Sequence, residues 1–538
     1  MKHTKEDREE FLIKRNMLSY FIISFVQGIS SLADLAIQYF LKDYLMLEPY
    51  QMSRTLAFVM IPWIIKPVLG LLTDLVPIFG YRRKIYLIAC GLIGFVSWLY
   101  MSFYADNLIM TIVSLTLVNF AFSFGSIIGE AIVVELSKKG ETLTERESKM
   151  NSNNGSYPSD KIYTSEEKAK NYVSLFFLFK NIGALLSAFF RGYLIEIISI
   201  RRIFLLNAFV PLFILLAGLI LIEHPTVVVR KTSRNEEESK KWEEERVVNK
   251  YHDYFSVTTS FDEKKEHLLQ INREIINVKH QSRKISVDTE ITRRKLVYDF
   301  YNFMMKKEVY IPAIFSVLLF ATPNFADPFF YYMTNFLNFS PSELGILSLM
   351  TSTGVLIAII SYRFYFKICS FKYLVSASTL LYFLFTFLSL ILVLRINLIY
   401  NIPDLFVCVF GFIFLSILGE MSIMPILTLA CALCPKNLEA TAYSLFMSSI
   451  NLGLLLSGLN SSFITSSLNV SANNFDNLGL MIIMCNCFKI IPIIALFFID
   501  KRFFEGPKEA REEEYFMLKA EHEEECLNPK ENVKQLII

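Results

Sequence analysis

"SLFFLFKNIGALLS" (174–187) and "SLFMSSINLGLLLS" (444–457) share Ser, Leu, Phe, Asn, Gly, Leu, Leu and Ser at a constant offset of 270 residues. Two further pairs follow in the same order. "SIIGE" ending at Glu130 matches "SILGE" ending at Glu420, and "ADLAIQY" from Ala33 matches "ADPFFYY" from Ala326. These offsets are 290 and 293, and a longer loop ahead of residue 170 accounts for the change to 270. Apolar segments draw on a small alphabet, so a single match carries little. Three ordered matches centred on polar residues indicate a duplicated unit.

The repeated unit is a membrane bundle. Of the 538 residues, 53% are hydrophobic and 19% charged, and the mean hydropathy is +0.42; an ordinary soluble domain is about 25% charged. Twelve apolar runs, near 18–41, 53–76, 84–104, 108–137, 170–199, 201–223, 309–336, 343–365, 371–395, 403–432, 438–466 and 476–500, are each long enough to cross about 30 Å of hydrocarbon. The first exceeds the 7–15 apolar residues or so of a signal-peptide core and reads as a permanent span. The expectation is an all-α integral membrane protein in five parts. These are an N-terminus (1–17), a six-helix bundle (18–223), a charged linker (224–308), a second six-helix bundle (309–500) and an acidic tail (501–538). Parallel six-span repeats are the architecture of major facilitator transporters, whose substrate site lies near mid-membrane between the halves.

Basic residues near span ends stay on the cytoplasmic side. Lys2, Lys5, Arg8, Lys14 and Arg15 precede span 1, Arg82, Arg83 and Lys84 follow span 2, Lys138 and Lys139 follow span 4, and Lys501 and Arg502 follow span 12. Opposite loops such as "YADN" and "LNFSPSE" carry almost no cations, with Arg201 and Arg202 the exception. Both termini are therefore predicted to be cytoplasmic, with the plasma membrane as the default location. A net charge of +2 implies no nucleic-acid partner. The eight cysteines lie mostly in or beside apolar runs and lack the further His or Cys ligands of a metal site, so neither metal nor cofactor is expected. No nucleophile–base set or phosphate-cradling loop suggests an enzyme, and nothing calls for more than a monomer in the lipid bilayer.

An ionisable side chain inside a span costs at least about 2.5–3.5 kcal/mol on insertion scales and needs a partner or a task. Lys180 stands where the other repeat has Ile450, so the fold does not require it. It is a candidate for an anionic substrate or for an ion pair with Glu130 or Asp34. Arg191, three turns on, is a candidate for bidentate carboxylate binding or for pairing with Glu196. Asp34 and Asp327 occupy matching places in the first span of each half, and Glu130 and Glu420 in the fourth. These four are candidates for proton coupling, against a reading of plain interhelical hydrogen bonding.

"KPVLGLLTDLVPIFGYRRK" (66–84) resembles the loop signature between spans 2 and 3 of major facilitator proteins. Together with "LCPKNLEATAYSLFMSSINLGLLLSG" (433–458) and "FVQGI" in span 1, it is similar to the folate-biopterin transporter family, as in its apicomplexan members. One departure is "GEAIVVE" in span 4, in a place where an aspartate-rich pattern is expected. The resemblance implies transport of folates and related pteridines, usually with protons. The residues alone specify only an anionic solute, so another small anion, or a non-transporting receptor or scaffold, is the alternative.

Within the signature, Gly70 is expected to permit close helix approach and Gly80 a tight turn. Arg82 and Arg83 are expected to hold the loop inside. Asp74 is placed to pair with that basic cluster or to face the N-terminus of span 11, where Asn437 and Glu439 begin a helix whose positive dipole end welcomes an acid. Gly70, Asp74, Gly80, Arg82, Arg83 and Glu439 form the candidate gate.

Overall fold

The computed structural model describes residues 3–129, 165–223, 298–366, 369–433 and 439–504. Glu130, most of the linker, the tail beyond 504 and the side chains of Asp74 and Glu439 lie outside what it describes. Met1–Val76, Arg83–Glu223 and Met304–Ile538 group as one compact unit, and Pro77–Arg82 with His224–Phe303 as another. In the second unit, Ile78 and Tyr81 close a bridge around Phe79 and Gly80, with φ of 51° and 84°. Gly80 thus makes the tight turn, where a side chain would be strained.

The first unit contains the twelve spans. Eight are long and apolar by composition alone, among them Lys84–Phe103 (span 3), Leu108–Gly129 (span 4), Ile200–Ile220 (span 6), Phe371–Val393 (span 9), Asp404–Ala430 (span 10) and Leu478–Phe498 (span 12). The other two are Arg15–Tyr44, most of span 1, and Pro341–Phe366, span 8. The remaining four are span 2 (Pro49–Val59, Ile61–Ile64 and Lys66–Leu75), span 5 (Ser165–Ile197), span 7 (Lys307–Phe320 and Ala326–Tyr331) and span 11 (Glu439–Ser467). The two halves meet where span 2 packs on span 11 and span 5 on span 8.

Spans 2 and 7 are interrupted by local breaks, whose freed backbone groups are met by polar side chains. Pro67 has no N–H for the carbonyl of Trp63, four residues back. That carbonyl instead faces Ser448 Oγ and Asn451 Nδ2 of span 11, each at 3.4 Å. Span 7 unwinds between Phe320 and Ala326. There the freed carbonyls of Ala321 and Thr322 accept from Asn460 Nδ2 at 2.9 Å and Ser457 Oγ at 2.6 Å, and Asn324 N donates to Ser461 Oγ at 2.8 Å. Unwound backbone at membrane depth persists only when its polar groups are satisfied in this way.

The same device appears in the first half. Span 1 tightens to a 3-10 turn at Ser30–Ala33, and Ser31 Oγ lies 2.9 Å from Ser187 Oγ of span 5. Ser187 and Ser457 are the last serines of the two matched motifs. Beyond the breaks, both first spans end in a π turn, Phe40–Tyr44 and Tyr332–Phe336, and each turn stacks its terminal rings, 4.8 and 5.0 Å apart. Left-handed Met46 and Asn338 follow, then a capping box into Pro49 and into Pro341. All of these pairs share an offset of 292, which supports the duplication through features that the side chains do not spell out.

The offset also corrects a register. The matched "AD" pairs lie 293 apart, so in the frame of the π turns Asp327 stands one residue past the counterpart of Asp34. One residue is about 100° around a helix. The two acids consequently face different neighbours.

At the end of the bundle away from the chain termini, called distal below, the halves are joined by a shared core. Leu35, Tyr39, Leu47 and Met52 pack with Phe329, Phe330, Tyr331 and Met333. Tyr331 OH donates to the Leu47 carbonyl. Lys42 Nζ donates to Asn335 Oδ1 at 2.7 Å, and Glu48 accepts from Ala472 N at 2.8 Å.

Candidate substrate site

Span 5 runs alongside span 1, where two glycines let the backbones touch. A Cβ on Gly28 would lie 2.6 Å from Ala184 N, and one on Gly183 would lie 3.2 Å from Gly28 Cα. Farther along, Gly192 meets Gly345 of span 8, and a Cβ on Gly192 would lie 2.7 Å from Gly345 Cα. Span 5 is thus held against its own half by one glycine contact and against the other half by the next. Lys180 and Arg191 sit on this helix, eleven residues and about 16 Å of rise apart, on nearly the same face.

Arg191 reaches Asp34 of span 1, Nη2 to Oδ2 at 3.6 Å, and Ser348 Oγ of span 8 at 3.5 Å. Both contacts are long for charge-assisted bonds, which run about 2.7–2.9 Å. The buried Nε of Arg191 has no hydrogen-bond partner. The guanidinium is therefore buried with donor capacity to spare, while the Asp34 side chain is 58% exposed although its helix neighbours Ala33 and Leu35 are buried. The expected pairing of Arg191 with Glu196 does not occur, because Glu196 accepts from the Ser342 N–H at the start of span 8, at 3.1 Å. That bond uses an orphan donor of a helix N-terminus.

Lys180 is electrostatically coupled to Glu420 of span 10, across the two halves. Asp327 accepts a hydrogen bond from Ser53 Oγ of span 2 at 2.6 Å, also across the halves. The structure thus brings the sequence-selected charges together in pairs of unlike kind. Asp34 has a cation at 3.6 Å, Glu420 lies in the field of one, and Asp327 has a hydroxyl. Glu130 lies outside the described residues.

Sequence reasoning missed Ser53, Ser348 and Asn324, since lone hydroxyls and amides give no signal in an apolar run. Proline before Asn324 and glycine near Ser348 marked irregular or close-packed backbone, which was the available hint.

Of the candidate gate, Gly70 sits at an ordinary distance from span 4. A Cβ there would lie 3.5 Å from Ile127 Cγ2, so no close approach depends on this glycine. The segment Lys66–Leu75 packs on span 11. Arg82 is exposed and Arg83 buried. Glu223 Oε2 accepts from the backbone N–H groups of Arg83 and Lys84, both at 3.1 Å, and so caps span 3. Lys66, 1% exposed, donates to Ser126 Oγ at 3.1 Å and lies over the Trp63 ring.

On the distal face, Arg201 is one of the two arginines that depart from the charge rule. It carries its own neutralising shell, with Asp106 at 2.5 Å, Tyr44 OH at 2.7 Å and the Ser102 carbonyl at 3.1 Å. The hydrogen bonds from Tyr44 and then Arg201 hold the Asp106 carboxyl below the usual carboxylate range. In the second half, Arg395 pairs with Asp404 at 2.9 Å and lies over Phe336, the counterpart of Tyr44.

The fold is that of major facilitator transporters. The chain is 13% identical to the nucleoside transporter NupG, with a TM-score of 0.57 over 91% of this chain and 100% of that one. By sequence it is 30% identical to Folate transporter 1 of Plasmodium falciparum, over 90% of this chain and 79% of that protein. It is also 30% identical to the folate-biopterin transporter of Synechocystis sp., over 89% and 80%. The model of the BT1 family matches residues 27–153 and 152–514, nearly the whole of the twelve spans. With its duplicated bundle, its charge pairs between helices and these relatives, the chain is a multi-pass membrane transporter that belongs to the BT1 family.

Proposed function

We propose that the protein is a secondary transporter that moves folate or pteridine-type organic anions by alternating access, coupled to protons. The observation that carries this reading is Arg191, a buried guanidinium with an unpartnered Nε and only long contacts, beside the accessible carboxylate of Asp34. A planar fork in that state suits a substrate carboxylate. The names of the relatives supply the pteridine class, and Lys180, opposed by Glu420, is the second cation on the same face of span 5.

In this reading the substrate carboxylate takes the Arg191 donors and Asp34 is released to the cavity. The joined distal ends mark the closed side in this reading, and the chain termini lie in the cytoplasm. The protein acts as a monomer in the plasma membrane, and Asp74, facing the positive N-terminal end of span 11, closes the opposite end. Uptake of labelled folate, biopterin and p-aminobenzoate into cells that lack their own folate carrier tests the proposal. Folate uptake that rises as the outside pH falls is the expected result, and equal indifference to all three substrates overturns it.

A further inference from the structure

The three described acids of the membrane interior differ in what neutralises them. Asp34 has the Arg191 guanidinium at 3.6 Å, and Glu420 lies in the field of Lys180. Asp327 forms no ion pair among the described residues and holds a single hydrogen bond, from Ser53 Oγ. That bond ties span 7 to span 2, beside the distal core that joins the halves. We infer that Asp327 is the residue that carries the coupled proton, and that its contact with Ser53 links the proton to closure of the distal end. This rests on the proton-coupled reading above.

Geometry separates the acids. A carboxylate beside a cation keeps nearly the same local charge balance when its partner stays in place, and its natural competitor is a substrate anion. A carboxylate beside a hydroxyl has no such competitor, and only a proton or water exchanges with it. Ser53 is 2% exposed, so closing the halves removes water from this side of Asp327.

The other groups around Asp327 are few. Tyr331 follows on the same segment, and Glu48 and Asp43 lie beyond it. Arg54 of span 2 turns away to the Tyr50 ring, 5.8 Å from its centroid. Span 11 presents Ser457, Asn460 and Ser461 to the break before Asp327. None of these supplies a countercharge. In the cycle, a carboxylate exposed at the open distal end binds a proton from that side. The neutral acid then meets Ser53 on closure, and the proton leaves toward the opposite side.

Counterflow and gradient-driven uptake in proteoliposomes, measured on the full chain, separate the roles. With Asp327→Asn, pH-gradient-driven accumulation should fall at least tenfold while substrate exchange without a gradient falls less than threefold. Asp327→Glu should restore part of the accumulation. Asp34→Asn should impair exchange and accumulation together. Gradient-driven accumulation that survives in Asp327→Asn overturns the inference, as does loss of exchange along with accumulation. The same holds if Asp34→Asn or Glu420→Gln instead gives the split. A wild-type protein that exchanges substrate but ignores the pH gradient refutes the proton-coupled reading itself, which is a distinct result.

Discussion

The two halves share a scaffold and differ in charge. Both break the first span before its acid and brace the break from the fifth span of the half, through Ser187 in one and Ser457 in the other. Both end the first span in a π turn with stacked rings and pin an arginine over that turn. Four residues past the bracing serine, however, one half has Arg191 and the other Ser461. Arg191 faces a carboxylate, whereas Ser461 accepts a backbone N–H. Duplication thus supplied two equivalent frames, of which one became a charged site and the other kept its polar atoms for its own unwound backbone.

The largest expected effect comes from forcing the halves apart where they touch by backbone alone. Gly345→Leu should cost about 1–3 kcal/mol as an overpacked contact and abolish transport, read as a lower unfolding temperature in detergent together with lost uptake. Next, Arg191→Gln should lower folate uptake at least tenfold and uptake of an uncharged pteridine much less. An equal fall for both would mean that the guanidinium braces spans 1 and 8 and does not bind the anion.

Lys180→Ile installs the residue of the other half. The protein should fold, since Ile450 fills the equivalent place and is buried, but transport should drop severalfold because Glu420 loses its cation. Unchanged transport would make that pair ornamental. The smallest effect concerns Asp106. Its folded carboxyl is held low, so the stability it gives is complete above the ordinary carboxylate value near about 3.9 and is lost as pH falls through the lower folded value. Thermal unfolding followed from pH 6 downward should show that acid-side loss in the wild type and less of it in Asp106→Asn.

Much of the fold was legible because membrane spans announce themselves by length and apolarity, and because the matched motifs around Asn181 and Asn451 fixed the duplication. The ionisable residues were equally visible, since each is conspicuous in hydrocarbon. Their partners were not. Arg191 seemed placed for Glu196 on its own helix, yet an N–H of span 8 takes that carboxylate. The one-residue slip between Asp34 and Asp327 was hidden by an identical dipeptide, and only the π turns reveal the frame.

The meeting of Gly192 with Gly345 has a mechanical meaning. At the distal core the halves are joined by side chains that must leave one rotamer for another before the surfaces can part. At this crossing there is only main chain on main chain, and nothing has to be reshuffled when one bundle tilts on the other. In the proposed alternating-access cycle such a point would serve as a fulcrum, and Arg191, one residue away, would sit almost on the axis, where a tilt displaces it least.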